Sequence, residues 1–126
     1  MKYLLDTRII LWWLQGAEDL KPEISGKIAF PSNDIAVSAV SAWEIMTKSA
    51  LGRTDLTSSD FAFALQASGF TQLSLNHEHV LQAAALPRHH VDPFDRLLIA
   101  QDQVEQRTLI AEDRRFEAYD INVVWA

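Results

Sequence analysis

Short apolar runs alternate with stretches of helical periodicity along almost the whole chain. Runs with the length and composition of strands lie at residues 2–5, 34–37, 108–111 and 122–125, and residues 71–75 alternate between polar and apolar as a short strand does. Apolar residues recur as on the buried side of a helix within residues 9–14, 22–30, 38–48, 57–67, 76–85 and 93–104, and residues 114–119 favour a short helical turn. Because strand and helix patterns alternate, the sequence predicts an α/β sandwich around a parallel sheet.

The most informative stretch is HHVDPFDRLLIAQ at residues 89–101, which predicts the start of a central helix. Pro93 has no backbone N–H and its φ lies near the helical value, so it suits the first helical position, with Asp92 before it as the N-cap. Asp95 then falls in the first turn of this helix. Both acids have an ordinary structural explanation, because a cap and a negative charge each stabilise a helix N-terminus.

Three further carboxylates occupy comparable places between strands and helices. Asp6 and Asp113 directly follow predicted strands, and Glu44 follows another strand within about two helical turns. Structural explanations stay open here too. Asp6 can cap a helix, and Glu44 forms a capping-box pattern with Ser41 and an i,i+4 pair with Lys48.

Four of these acids can instead face one crevice, because ligands of open α/β sheets bind beyond the carboxyl ends of the strands. The four are Asp6, Glu44, Asp95 and Asp113. Two unit charges about 4 Å apart repel by roughly 4 kcal/mol at an effective dielectric of about 20. A divalent cation would offset this repulsion, and ligands that are all oxygen favour Mg²⁺ or Mn²⁺. Such a site would carry out hydrolytic phosphoryl chemistry.

Composition narrows the class of protein further. The 126 residues suffice for one domain spanning residues 1–126, and the absence of cysteine excludes disulfides and thiolate metal sites. Asp6 and Arg8 interrupt the apolar N-terminus before a signal-peptide core forms, so we expect a cytoplasmic protein with no membrane partner. The net charge of −6 argues against an overall basic nucleic-acid surface. A nuclease would therefore need its acids concentrated around a metal.

Four segments carry a family resemblance in chain order. They are YLLDT at residues 3–7, SAWEI at residues 41–45 with Lys48 and Leu51-Gly52, the central stretch 89–101, and LIAED at residues 109–113. Together they resemble PIN-domain proteins, specifically the VapC-type toxin ribonucleases. The resemblance implies a three-layer sandwich with strand order 3-2-1-4-5 and a Mg²⁺- or Mn²⁺-dependent endoribonuclease acting on RNA. It also implies a homodimer, inhibited by a small cognate antitoxin protein that often represses its own operon as a complex.

The resemblance assigns roles by position. Asp6, Glu44, Asp95 and Asp113 match the catalytic and metal-binding acidic quartet of the family. Asp92 and Thr7 are candidates for outer-shell contacts to the metal. Candidate contacts to RNA phosphates are Arg8, Lys48, Arg96 and Arg114.

Two positions depart from the family pattern. Arg8 stands where relatives often have His, and Ala111 stands where Thr or Ser commonly precedes the last acid by two residues. Pairing of Arg8 with Asp6 would weaken metal binding, which leaves open a catalytically impaired PIN-fold binding module that acts through an antitoxin. A phospho-accepting receiver or phosphatase is disfavoured, because Asp6 lies too early for a receiver and lacks the second acid that such phosphatases use.

Other polar and aromatic residues are expected to be structural. We expect His89 and His90 in surface or capping positions, and His77 and His79 solvated in the first turn of their helix. The large aromatic residues Trp12, Trp13, Trp43 and Phe94 are expected in the core.

Overall fold

A computed structural model describes residues 1–126 and contains five strands, six α-helices and one 3₁₀ helix. The strands are β1 (Lys2–Leu5), β2 (Asp34–Ser38), β3 (Thr71–Leu73), β4 (Thr108–Ala111) and β5 (Val123–Trp125). The helices are α1 (Thr7–Gln15), α2 (Pro22–Ala29), α3 (Ala39–Ala50), α4 (Ser58–Ala67), α5 (His77–Ala85) and α6 (Pro93–Glu105), and the 3₁₀ helix spans Arg114–Ala118. All strand pairs are parallel, in the order β3-β2-β1-β4-β5. The predicted sandwich and its strand order are confirmed.

Helices cover both faces of this sheet, because successive strand residues point to opposite sides. On one face, Tyr3 and Leu5 pack with buried residues of α1, α2 and α4. On the other face, Leu4 packs with buried residues of α5 and α6. Burial on both faces explains why β1 reads as a continuous apolar run rather than an alternating one.

Helix α6 begins as the sequence predicts. Pro93 is its first residue, and Asp92 Oδ1 accepts hydrogen bonds from the amide of Phe94 at 2.8 Å and the amide of Asp95 at 3.2 Å. One turn further on, Leu98 is completely buried against the sheet. The cap and the buried face together fix where Asp95 stands.

Some predicted boundaries and local contacts are wrong. Strand β3 ends at Leu73 rather than residue 75. Helix α3 is capped by Ser38, whose side chain accepts from the amide of Val40, so Ser41 lies inside the helix and is fully buried. The predicted Ser41–Glu44 capping box is therefore absent, because the helix begins one turn earlier than that pattern requires.

His79 and Trp43 also differ from expectation. His79 is 1% exposed rather than solvated. Both of its ring nitrogens have partners inside the protein, because Nδ1 accepts from the amide of Asn76 at 3.2 Å and Nε2 lies 2.9 Å from Glu105 Oε2. The Trp43 side chain points outward and is 67% exposed. None of the helices combines the length and apolar character needed to cross a bilayer.

Candidate active site

The sheet topology brings the predicted acids to one edge of the molecule. Strands β1 and β4 are neighbours, with Leu5 in register with Ile110, so Asp6 and Asp113 follow the carboxyl ends of two adjacent strands. The α6 N-terminus and the first turns of α3 reach the same edge. One cavity of about 210 Å³ results, lined by Asp6, Thr7, Arg8, Leu11, Glu44, Lys48, Asp92, Asp95, Asp113 and Arg115. All four predicted acids thus line a single cavity.

Asp6 is the most strongly perturbed of these acids. It is 6% exposed, and its side chain makes no capping hydrogen bond to α1 although it occupies the N-cap position. Burial, together with the nearby carboxylates of Asp95 and Glu44, raises the pKa of Asp6 to about 7. The explanation of Asp6 as a helix cap is therefore wrong, and its placement costs electrostatic free energy.

Glu44 is held by two neighbours. Its Oε1 accepts a hydrogen bond from Thr7 Oγ1 at 2.8 Å, and its Oε2 lies 3.3 Å from Lys48 Nζ. Thr7 Oγ1 also lies 2.9 Å from the buried Ser41 Oγ. A chain of hydroxyl groups thus ties the start of α1 to α3 and fixes the carboxylate, while the expected i,i+4 pair with Lys48 is present.

Asp95 has a partner that the sequence did not indicate. His90 Nε2 lies 2.6 Å from Asp95 Oδ2, and the His90 side chain is only 3% exposed. Burial raises the pKa of Asp95, and the hydrogen bond from His90 opposes that rise. The amide of His90 donates to the Tyr119 hydroxyl at 2.8 Å, which anchors the loop. The expected surface position of His90 is wrong, because Tyr119, which follows the 3₁₀ helix, binds its amide and helps to bury it.

Asp113 caps the 3₁₀ helix and is paired with Arg115. Its Oδ1 accepts from the Arg115 amide at 3.0 Å, and the guanidinium Nη2 lies 2.6 Å from Oδ2. The Nε of the same guanidinium lies 3.1 Å from Oδ1 and 3.0 Å from Oδ2. Arg115 therefore holds the pKa of Asp113 below its usual range. Arg115 was not among the predicted site residues, although it stands only two positions after the acid.

The predicted phosphate-binding residues divide into two groups. Arg8 and Lys48 line the cavity, and Arg8 Nη1 pairs with Glu112 Oε2 at 3.0 Å rather than with Asp6. Arg114 and Arg96 are absent from the cavity lining. The guanidinium of Arg114 stacks 4.2 Å from the centre of the Trp125 ring. That of Arg96 donates to main-chain carbonyls, among them those of Ala83 at 2.9 Å, Leu86 at 3.0 Å and Pro87 at 2.8 Å. The expectation that Arg96 contacts RNA phosphate is therefore corrected, because its guanidinium N–H groups already bind main-chain carbonyls at the junction between α5 and α6.

The donor atoms that line the cavity are of the chemical type that binds a hard divalent cation. Five carboxyl groups and no sulfur line it, against three basic side chains, so its lining carries excess acid. Asp6 has no cationic partner of its own within this set. No three His, Cys, Asp or Glu side chains stand together at metal-ligand spacing, and Glu44, Asp95 and Asp113 each face a basic partner. Ala111 is fully buried and contributes no hydroxyl.

Comparison with known protein families gives one assignment. The family model described as PIN domain matches residues 3–122. A search of curated proteins found no match.

Solved structures superpose on almost the whole chain. The structure of VapBC2 from Rickettsia felis bound to a DNA fragment from its promoter gives a TM-score of 0.75 at 14% identity, with 98% of each chain covered. A toxin–antitoxin complex from Klebsiella pneumoniae gives 0.69 at 19% identity, covering 97% of this chain and 95% of that one. VapBC-1 from nontypeable Haemophilus influenzae gives 0.66 at 17% identity, covering 99% and 98%. At these identities the likeness concerns the fold.

Proposed function

Because the chain belongs to the PIN domain family, we propose that it is a Mg²⁺- or Mn²⁺-dependent endoribonuclease and the toxin of a VapC-type toxin–antitoxin pair. PIN domains are generally nucleases, and they generally use divalent metals. The proposed reaction is hydrolysis of an RNA phosphodiester bond at the acidic cavity. Asp6, Glu44, Asp95 and Asp113 are the proposed metal-binding and catalytic residues.

The electrostatics of Asp6 carry this proposal. A buried carboxyl group that lies beside two other acids lowers the stability of the fold when it is ionised, unless a proton or a bound cation compensates. Strongly perturbed acids in a cleft are typical of functional sites. The acids that line this cleft come from four separate segments of the chain. Helix capping alone would not require these segments to bring their acids together.

The residues divide the work as follows. A divalent cation, when bound, supplies a Lewis acid for the phosphate oxygen and lowers the pKa of the attacking water. Thr7 keeps Glu44 oriented through its 2.8 Å hydrogen bond, and His90 does the same for Asp95. Asp92 orders the first turn of α6 and stays a candidate outer-shell residue. Lys48 and Arg8, at the cavity wall, are the proposed contacts to RNA phosphates.

We further propose a cognate antitoxin as partner, a homodimeric assembly and a cytoplasmic location. The support for the antitoxin is that the similar structures include toxin–antitoxin complexes from three bacteria. Exposed apolar side chains on α3 and α4, Trp43 and Phe63, offer apolar area to a protein partner.

The decisive experiment compares RNA cleavage by the wild-type protein with that of Asp6→Asn and Asp95→Asn in the presence of Mn²⁺. We expect both variants to lose about 10²-fold or more in rate while keeping the wild-type circular dichroism spectrum. Asp19→Asn, an exposed acid in a loop, is the matched control and should keep full activity. Equal cleavage by all four proteins would refute the proposed mechanism.

Two observations favour the second candidate, a catalytically impaired module that acts through its antitoxin. No three potential ligands stand at metal-ligand spacing, and Arg115 already occupies Asp113. Calorimetric titration with Mn²⁺ separates the two functions. Binding that Asp6→Asn abolishes supports the nuclease, and absence of binding to the wild-type protein supports the impaired module.

A further inference from the structure

Basic side chains of the chain itself contact the acids of the cavity. Lys48 pairs with Glu44 at 3.3 Å and His90 pairs with Asp95 at 2.6 Å. Arg115 pairs with Asp113 through both nitrogens of its fork, and the shortest of these contacts is 2.6 Å. Three of the four proposed metal ligands therefore already have a basic partner.

Of these three partners, Arg115 can leave its carboxylate most easily. Its side chain is 67% exposed, whereas that of His90 is 3% exposed and that of Lys48 is 39% exposed. Water is thus available to solvate the guanidinium once it moves away. Besides Asp113, the more distant Asp95 and Asp92 also raise the pKa of Arg115, so this guanidinium lies within the field of the whole acidic group.

On the basis of the proposed function, we propose that Arg115 is a positioning residue, which competes with the divalent cation for the carboxylate of Asp113. Both oxygens of Asp113 accept from the Arg115 fork, so a cation that binds between these two oxygens competes with the guanidinium for the same side of the carboxylate. Under this proposal the contact is made in the cation-free protein and lost in the loaded one. Its removal therefore destabilises the cation-free form and leaves the loaded form unchanged, which tightens cation binding by the same factor.

The test measures Mn²⁺ binding by calorimetry, and thermal unfolding without metal, for the wild type and Arg115→Gln. Exposed ion pairs of this kind shift an equilibrium by about two- to fivefold, so we expect Mn²⁺ affinity to rise by that factor. The cation-free Arg115→Gln protein should unfold at a lower temperature than the wild type. A merely structural role for Arg115 would lower stability in both forms and leave the affinity unchanged.

Arg114→Gln is the matched control, because it removes the same charge from the neighbouring residue, which stacks on Trp125. We expect a smaller change in Mn²⁺ affinity for Arg114→Gln than for Arg115→Gln, and an intermediate value for Arg115→Lys, which keeps the charge and loses the fork. Equal effects of Arg114→Gln and Arg115→Gln would overturn the inference. If the wild type binds Mn²⁺ and Arg115→Gln binds it no more tightly, the inference alone fails. If the wild type does not bind Mn²⁺, the proposed function fails with it.

Discussion

Asp102 lines a different cavity from the four proposed metal-binding acids and provides the sharpest test of how burial acts on this fold. It belongs to α6, is 2% exposed, and its Oδ1 has no hydrogen-bond partner. The nearby Arg107 is already engaged, since its Nη1 lies 3.2 Å from Asp34 Oδ1. Burial raises the pKa of Asp102 to about 8, although the charge of Arg107 opposes that rise.

The sign and size of the effect follow from linkage between proton binding and folding. The pKa of Asp102 in the folded state, about 8, lies above its value of about 3.9 in an unfolded chain. The folded state therefore holds its proton more tightly, and stability is lost as the pH rises from about 4 to about 8. A shift of about four units corresponds to at most about 5 kcal/mol above that range and about 4 kcal/mol at neutral pH.

Asp102→Asn removes this penalty, because the amide has nearly the same shape and cannot ionise. We expect urea denaturation at neutral pH to show a free energy of unfolding about 2–4 kcal/mol larger than that of the wild type. The difference should shrink toward zero near about pH 4, where both proteins carry a neutral side chain. Asp19→Asn, which alters an exposed acid, should change little at either pH.

The reasoning would be refuted by an Asp102→Asn protein that is no more stable than the wild type at neutral pH. It would equally be refuted by a gain that does not depend on pH, because such a gain could not arise from ionisation.

Three further predictions concern the candidate site and its support. Asp92→Ala removes the α6 cap and should lower the free energy of unfolding by about 1 kcal/mol in urea denaturation, whereas wild-type stability would show that the cap contributes nothing. Asp6→Asn should stabilise the cation-free protein above about pH 7, and this gain should vanish near about pH 4, because the pKa of Asp6 lies above its unfolded value. A gain of the same size at both pH values would contradict that cause. Arg96→Lys should lower the free energy of unfolding by about 2 kcal/mol, measured in the same way, because a lysine cannot reproduce the forked contacts to several carbonyls. Unchanged stability would mean that the α5–α6 junction holds without them.

Much of the fold could be predicted from the sequence, because it depends on interactions between residues close together in the chain. The start of α6 could be predicted from Pro93 and Asp92, because their backbone and capping preferences act within a few residues. The central strands β1, β2 and β4 could be identified because burial on both faces demands short apolar runs. The convergence of Asp6 and Asp113 follows from parallel strands, whose carboxyl ends share one edge of the sheet.

The partners of the acids could not be obtained in this way, because they depend on segments that meet only after folding. Arg8 pairs with Glu112 across 104 residues of chain rather than with the adjacent Asp6. The backbone amide of His90 donates to the hydroxyl group of Tyr119, 29 residues further along the chain, and this contact helps to bury His90. Sequence periodicity reports which side of an element is apolar, and it carries no information on which charged groups two distant loops bring together. The amino-acid order thus determined the architecture and the list of acids, whereas packing of the whole chain gave Glu44, Asp95 and Asp113 their basic partners and left Asp6 buried without one.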